Sequence, residues 1–500
     1  MTAHTLVPTS SASRRIHARG LLTLALGVTL AGCTVGPDYT VPELSLSKLW
    51  SAEQVEAVPR KSEEQLATWW RSFNDPILNE LIEKGLAESD GGNLDLRIAT
   101  ERVLEARASL VQANAALLPS LDATGSFSRT KRSDGIQFGS RESDFQDGGR
   151  IGLQNIFSAG FDTLWELDIF GEFRRGRESA IAELEATAER ARGARVSLIG
   201  EIGKTYIDYR AFAERLTIAT RNIKTQEESL GLTRSRFEAG LVSELDVSQA
   251  NAQLASTAAQ IPVLEASKRA AAFRLAILVG QQPGSLDELL SKEGPIPSAS
   301  IVPEAGLPSD LLRRRPDIRA AERDIASTSA KIGVATSQLF PKVQITAGFG
   351  FQSNKSGTLF ETNSQFWNFA PGVRLPLIGF AALRAGVDIA ESRDKQAIYA
   401  YTQTVLLSLE ETENALIAYD KEKVRHKSLL QAESANRRSV ELAQDLYREG
   451  LIDFLRVLEA ERSLYASEDL VAQSRSQMSA NLVALYKALG GGWQIAESAS

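Results

Sequence analysis

The chain has 500 residues, a formal net charge of −7, three histidines and one cysteine. That acidic balance, with no basic face interleaved with aromatics, argues against a nucleic-acid partner. A single cysteine precludes an internal disulfide, and the scarcity of histidine removes His-Cys zinc sites, Ser-His-Asp triads and Cys-His dyads.

The first segment reads as a leader. Arg14, Arg15 and Arg19 precede a short apolar core at residues 21–30, too short to span a bilayer stably. Leu30-Ala31-Gly32-Cys33 then reads as a lipobox. Residues 1–32 are therefore expected to be a signal peptide, and Cys33 to carry an S-diacylglycerol and an N-acyl chain. Removing the three leader arginines takes the charge from −7 to −10. Thr34, rather than Asp, follows Cys33, which favours sorting to the Gram-negative outer membrane. No later apolar stretch approaches a transmembrane helix, so any membrane-spanning part must be built of strands.

Residues 33–92 form a lipidated lead with Pro37, Pro42 and Pro59, then a short helix opened by Trp69-Trp70-Arg71-Ser72-Phe73-Asn74-Asp75-Pro76. Residues 93–280 constitute a first repeat. A helix runs to Leu118, with Ala106, Ala108, Ala113 and Ala116 as small packing residues, and Pro119 ends it. A strand pair follows at about 119–170 and a long helical hairpin at about 174–280. In the first strand Leu121, Ala123, Gly125 and Phe127 alternate with Asp122, Thr124, Ser126 and Ser128. Runs of about ten such residues suit tilted strands crossing hydrocarbon, although a half-buried soluble sheet alternates in the same way.

Residues 281–315 are a proline-rich linker, expected to wrap the outside of the structure. Residues 316–493 repeat the first plan, with a helix, a strand pair at about 341–378 and a hairpin at about 380–490. Residues 494–500 are a tail. The second return strand is expected to include Phe369, Val373, Leu375 and Leu377. The duplication is visible residue by residue: Phe237-Glu238-Ala239-Gly240-Leu241-Val242 returns 210 positions later as Tyr447-Arg448-Glu449-Gly450-Leu451-Ile452. Val247, Ala250, Leu254, Thr257, Ile261, Leu264, Lys268, Ala271, Leu275 and Leu278 keep the 3-4 spacing of a coiled-coil seam. Its copy, from Val457 to Ala488, contains Ser and Asn. Pro262 stands where the copy has Ala472, so a bend is expected there.

Nothing in this pattern supports catalysis. His4 and His17 lie in the leader, His426 sits between Arg425 and Lys427 on a helix, and Gly490-Gly491-Gly492-Trp493 ends a helix instead of opening one. No cofactor is expected beyond the lipid.

Several motifs together resemble the NodT-like outer-membrane factors, the exit ducts of tripartite resistance-nodulation-division (RND) efflux pumps. They are Cys33 with Gly36-Pro37-Asp38-Tyr39, Trp69-Trp70 to Asp75-Pro76, Trp165-Glu166-Leu167-Asp168-Ile169-Phe170-Gly171, Gly240 to Val247, Leu311 to Glu322 with its Arg313-Arg314-Arg315-Pro316 core, and Leu485 to Trp493. The resemblance implies a mixed α and β fold: a transmembrane β-barrel shared by a homotrimer, four strands per protomer, continuous with a long periplasmic α-helical barrel. It implies a passive, lipid-anchored outer-membrane channel exporting drugs, toxic organics or metal ions. Its partners would be outer-membrane lipid, a periplasmic adaptor (membrane fusion) protein and an inner-membrane RND-type transporter.

By the same resemblance the periplasmic gate comprises Asp246, Tyr447 and Arg462 as a polar latch between hairpins, Leu455 as an apolar constriction and Glu459 as an acidic ring. Read without it, Asp246 caps a helix start and Arg462 pairs with Glu459 at i, i+3. Arg456 departs from the acidic residue that can occur at its position in the family, and Ile378-Gly379-Phe380-Ala381 keeps one of two frequent glycines. The sequence gives Arg313–Arg315 no evident role. A periplasmic adaptor lipoprotein fits less well, since one hairpin between lipoyl-like halves would be needed. A lipid-anchored cell-wall hydrolase would need a catalytic acid pair or metal site.

Overall fold

A computed structural model describes residues 34–42, 44–46, 50, 66–87, 91–131, 153–299 and 308–494. The leader and Cys33 lie outside these residues. The chain divides into two units, the first made of residues 1–41, 106–184 and 323–398, the second of residues 42–105, 185–322 and 399–500.

The first unit is built on a four-stranded antiparallel sheet: β1 (Ser120–Thr130), β2 (Gln154–Leu167), β3 (Lys342–Ser353) and β4 (Gln365–Arg374), in that order. Each repeat supplies one hairpin, and β2 pairs with β3 across the duplication. Register keeps apolar residues together. Ala123, Phe161, Phe349 and Trp367 form one cross-strand row; Leu121, Thr163, Ala347 and Phe369 form the next on the same face. This face is bare, with Leu121 72%, Trp367 77% and Phe369 60% exposed. The opposite face is polar. Thr124 Oγ1 donates to Asp162 Oδ2 at 2.7 Å, the Ser126 and Ser158 hydroxyls are 2.6 Å apart, and Gln344 Nε2 donates to Glu166 Oε2 at 3.0 Å. Gly160 faces Gly350 in the register, and a Cβ there would meet the Phe349 carbonyl oxygen at 2.7 Å.

β4 stops at Arg374, short of Leu375 and Leu377, which the alternation had assigned to it. Pro376 interrupts the ladder, since it has no N–H to donate. Leu377 and Ile378 are 81% and 98% exposed.

The segment just after Cys33 is fastened to this unit. Val35 N–H donates to the Phe170 carbonyl at 3.2 Å. The buried Arg175 donates to the Val35 carbonyl at 3.2 Å and to Asp38 Oδ1 at 2.7 Å. Arg323 lies over the Tyr39 ring, 5.3 Å from its centroid.

The longer helices among the described residues are α1 (Pro76–Gly85), α2 (Leu94–Ala115), α3 (Glu172–Glu238), α4 (Glu244–Ala258), α5 (Gln260–Leu278), α6 (Pro316–Ser337), α7 (Phe380–Arg448) and α8 (Phe454–Ala488). Asp75 caps α1, accepting from the Ile77 and Leu78 amides at 2.8 and 3.0 Å, with Pro76 at the first helical position. No residue of α2 is buried; Ala106 and Ala113 are half-buried, whereas Ala108 and Ala116 are exposed.

In the second unit the seam read from the sequence is internal. Every residue from Val247 to Leu278 on that 3-4 spacing is buried or half-buried, and so is every residue of its copy. The helix is interrupted at Ala259, where α4 ends and α5 begins, three residues before Pro262. Proline has no N–H and crowds the carbonyl four residues back, here that of Ala258. α8, with Ala472 in the equivalent place, runs unbroken through 35 residues.

Trp69 stacks on Tyr486 with centroids 4.9 Å apart. The linker lies across the helices: Tyr209 Oη donates to the Leu290 carbonyl, Arg210 Nη1 to Lys292 and Ser479 Oγ to Pro297, at 2.8, 2.8 and 2.6 Å. Arg315 has a structural place here. It is buried, holds Asp317 at 2.7 Å and Glu411 at 2.8 Å, and donates to the last helical carbonyl of α8, Ala488, at 3.1 Å. It thereby ties the linker's end to α7 and α8.

Candidate functional site: the hairpin tips

The two hairpins turn in the same way. At the first, Gly240 N–H donates to Phe237 and Leu241 N–H to Arg236, both at 2.9 Å; at the second, Gly450 N–H donates to Tyr447 and Leu451 N–H to Leu446, both at 2.9 Å. These paired bonds define a Schellman turn, which needs a left-handed residue just past the helix. Gly240 and Gly450 supply it, with φ of 70° and 79°.

The return helices start differently. At α4 the Asp246 carboxylate reaches back to the Ser243 N–H at 3.0 Å and also accepts from the Ser243 hydroxyl at 2.9 Å. At α8, Asp453 Oδ1 accepts from the Arg456 amide at 3.3 Å. Arg456 occupies the position equivalent to Asp246, and its guanidinium pairs with Glu459 at 3.0 Å.

Within this chain the five residues named from the resemblance have separate surroundings. Asp246 is half-buried in the capping arrangement with Ser243. Tyr447 is only 2% exposed, in a cluster with Ala250, Ala443, Phe454, Val457 and Leu458. Its ring lies 5.6 Å from that of Phe454, and its hydroxyl has no hydrogen-bond partner. Leu455 is 40% exposed. Glu459 is exposed and paired with Arg456. Arg462 donates through Nε to Gln253 Oε1 at 2.5 Å, linking α8 to α4. The simple i, i+3 expectation of Arg462 with Glu459 is thus replaced by Arg456–Glu459 and Arg462–Gln253.

Other residues near the tips were not apparent from the sequence. Arg236 of α3 donates to the Arg448 carbonyl at 2.7 Å and stacks over Tyr447, 4.5 Å from the ring centroid. A cavity of about 160 Å³ beside Tyr447 is lined by Ser229, Leu232, Gln444, Phe454 and Val457, among others. Glu461, 3% exposed, accepts from Ser229 at 2.6 Å and from Gln444 at 3.1 Å. Burial pushes its carboxyl above the usual carboxylate range, against the opposing effect of those two bonds. Farther along, Glu468 takes Asn222 at 3.0 Å and both Arg221 and Arg437 at 2.7 Å, while Arg215 pairs with Asp469 at 2.6 Å. Polar bonds therefore recur along the contact between α3 and α8. Glu461 and Glu468 fall seven residues apart, a spacing that puts both on one helix face, but no local pattern points to a partner for either.

Among the described residues, no group of three or more His, Cys, Asp or Glu could hold a metal ion, and no helix is long and apolar enough to cross a membrane. One sheet face is polar and the other bare and apolar, and polar contacts recur along the hairpins.

The comparisons agree with that geometry. A family model described as "Outer membrane efflux protein" matches residues 86–281 and 307–491. The chain is 32% identical to a "Nodulation protein T" of Rhizobium leguminosarum bv. trifolii over 464 residues, 93% of this chain and 95% of the relative. It is 31% identical over 477 residues to the toluene efflux pump outer membrane protein TtgI of Pseudomonas putida, covering 94% of this chain and 97% of that one. The solved outer-membrane channel OprN superposes with a TM-score of 0.85 at 36% identity, covering 92% of this chain and 100% of OprN. The chain belongs to the outer membrane efflux protein family, and it is an outer-membrane efflux channel of mixed α and β fold, not an enzyme.

Proposed function

We propose that three copies of this chain close into a passive duct. β1 and β4 are the edges of the sheet, and edge strands left open beside an apolar face are a template for pairing with another chain. Joining β4 of one copy to β1 of the next gives a barrel of twelve strands, its apolar face toward lipid and its polar face inward. The observation that carries this reading is the sheet's two-faced register combined with that bare apolar face.

Cys33 carries the lipid. Supporting this, Val35, two residues after Cys33 in the sequence, is bonded to Phe170 just beyond the end of β2. A periplasmic adaptor and an inner-membrane RND-type transporter complete the pump and supply the energy. The cargo is small molecules (drugs, toxic organics or metal ions); relatives include a toluene and a solvent efflux component and a cation efflux protein.

Asp246, Tyr447 and Arg462 act as the latch between neighbouring hairpins, with Leu455 as the constriction and Glu459 as an acidic ring. Asp246–Ser243 and Arg462–Gln253 are the bonds such a latch exchanges for contacts across copies. Exposed polar pairs of this kind contribute about 1 kcal/mol or less each, so three symmetric copies hold a mouth closed while leaving it openable.

Purified protein in planar bilayers tests the reading. A cross-linked trimer whose single-channel conductance rises on combining Asp246→Ala with Arg462→Ala is expected. A solid monomer without conductance defeats the duct, and unchanged conductance in the double variant removes the latch. Mass spectrometry of Cys33→Ala against the parent checks the lipid.

A further inference from the structure

Arg236 lies outside the five gate positions, yet it makes two contacts from the first hairpin to the second. Its Nη2 donates to the Arg448 carbonyl at 2.7 Å. Arg448 is the final residue of α7, where the last carbonyls of a helix lack partners along their own helix and carry the negative end of its dipole. A cation from another element suits that position both as donor and as charge. The same guanidinium lies over the Tyr447 ring at 4.5 Å, within cation–π range.

Tyr447 is the residue these contacts hold. Its ring is buried against Phe454, and its hydroxyl is both buried and without a partner. A buried hydroxyl with no hydrogen bond is costly, and the arrangement persists only because its surroundings fix the ring. The hydroxyl would gain a partner if the ring left the cluster. Tyr447 therefore has two physical options, and in this structure Arg236 covers one of them.

We propose that Arg236 is a positioning residue for gating: it clasps the first hairpin to the second within one protomer and keeps Tyr447 folded inside. This rests on the channel reading above and on Tyr447's place at the gate, and it needs neither Asp246 nor Arg462. The clasp has two parts, a directional hydrogen bond to a helix end and a charge over a ring, so side chains that keep one part or both are separable. Lysine keeps a charge and a donor, glutamine a donor alone, and alanine neither.

Single-channel conductance of the full-length trimer in planar bilayers tests this, with heat resistance of the trimer as the control for folding. Arg236→Ala is expected to raise conductance at least about twofold over the parent, Arg236→Gln to fall between, and Arg236→Lys to restore values close to the parent, all at unchanged trimer heat resistance. A purely structural role would move heat resistance and would not order conductance by side-chain chemistry. If a conducting parent is matched by both Arg236→Ala and Arg236→Gln, the clasp is overturned while the channel stands. Should Arg236→Ala not assemble, Arg236→Gln decides alone: raised conductance supports the clasp and parental conductance overturns it. If neither the parent nor the Asp246→Ala, Arg462→Ala variant conducts, the channel reading fails and takes the clasp with it.

Discussion

At the first hairpin tip Phe237 is 42% exposed, and at the second its duplicate Tyr447 is 2% exposed. Glu244 is exposed at the start of α4, whereas its counterpart Phe454 is 2% exposed at the start of α8. The turns themselves are alike, down to paired amide bonds of 2.9 Å and a glycine with positive φ. The return arms then diverge: α4 and α5 are separated at Ala259, and α8 is continuous. Duplication has preserved the backbone device that reverses the chain and changed what each tip buries. The second hairpin carries a small core, to which the first contributes Leu230 and Ala250. The first has an interrupted return arm and a tip with exposed apolar residues.

Removing the second tip's core should have the largest effect. Phe454→Ala deletes a buried ring packed on Tyr447, a change that costs about 3–5 kcal/mol in well-packed sites. At the matching position Glu244→Ala should stay within about 0.5 kcal/mol, as exposed changes do. Denaturant unfolding followed by the helical circular-dichroism signal compares the two; equal losses would end the distinction between the tips. The return arms offer the next largest test. Ala472→Pro places a proline inside the unbroken α8 and should cost about 3 kcal/mol or more. Pro262→Ala, in the arm already interrupted, should shift the same transition by less than half as much.

Where the two tips are alike, equal effects are expected. Gly240 and Gly450 both have positive φ, and nothing lies within 4 Å of a Cβ added to either. Alanine at each position therefore meets only the backbone penalty, about 1–2 kcal/mol. A clearly larger loss at Gly450 than at Gly240 would show that the second core depends on its turn in a way the first tip does not.

Much of this asymmetry is invisible in a single sequence. The strand faces, the heptad seam and the duplication were legible because each is a repeat, of 2, 7 and 210 residues; polarity follows the first and burial the second. The end of β4 was misread because alternation continues through Leu375 and Leu377, while Pro376 removes the donor that the ladder needs. Pro262 marks an irregularity in this arm, but the position of the break, at Ala259, depends on the carbonyls behind the proline. Tyr447 and Phe237 occupy the same place in the repeat, so no local pattern tells which one is buried. The cluster that encloses Tyr447 joins its neighbours Ala443, Phe454, Val457 and Leu458 to Leu230 and Ala250, some 200 residues away in sequence. Arg315 is similar: three consecutive arginines announce charge, but only the approach of Ala488 and Glu411 shows which one is enclosed.

The smallest expected effect is also the most specific to one hairpin. Glu461 is buried beneath the second tip, while its duplicate, Asn251, is exposed, carries no charge and donates to the Val247 carbonyl at 3.0 Å. Burial raises the Glu461 carboxyl above its ordinary value of 4.5, so the folded chain binds this proton more readily than the unfolded chain. The stabilising contribution of the protonated form is then fully present below the unfolded value and fades as pH rises through the folded value. At neutral pH the ionised carboxylate is instead a burden, which the bonds from Ser229 and Gln444 only partly relieve. Glu461→Gln keeps the shape and removes the charge. It should raise stability at pH 7, change it little near pH 4, and flatten the slope between them, whereas Asn251→Asp should leave that slope unchanged. Unfolding midpoints measured across that range decide it, and a slope that survives Glu461→Gln would mean that another group, not this carboxyl, carries the pH response of the second hairpin.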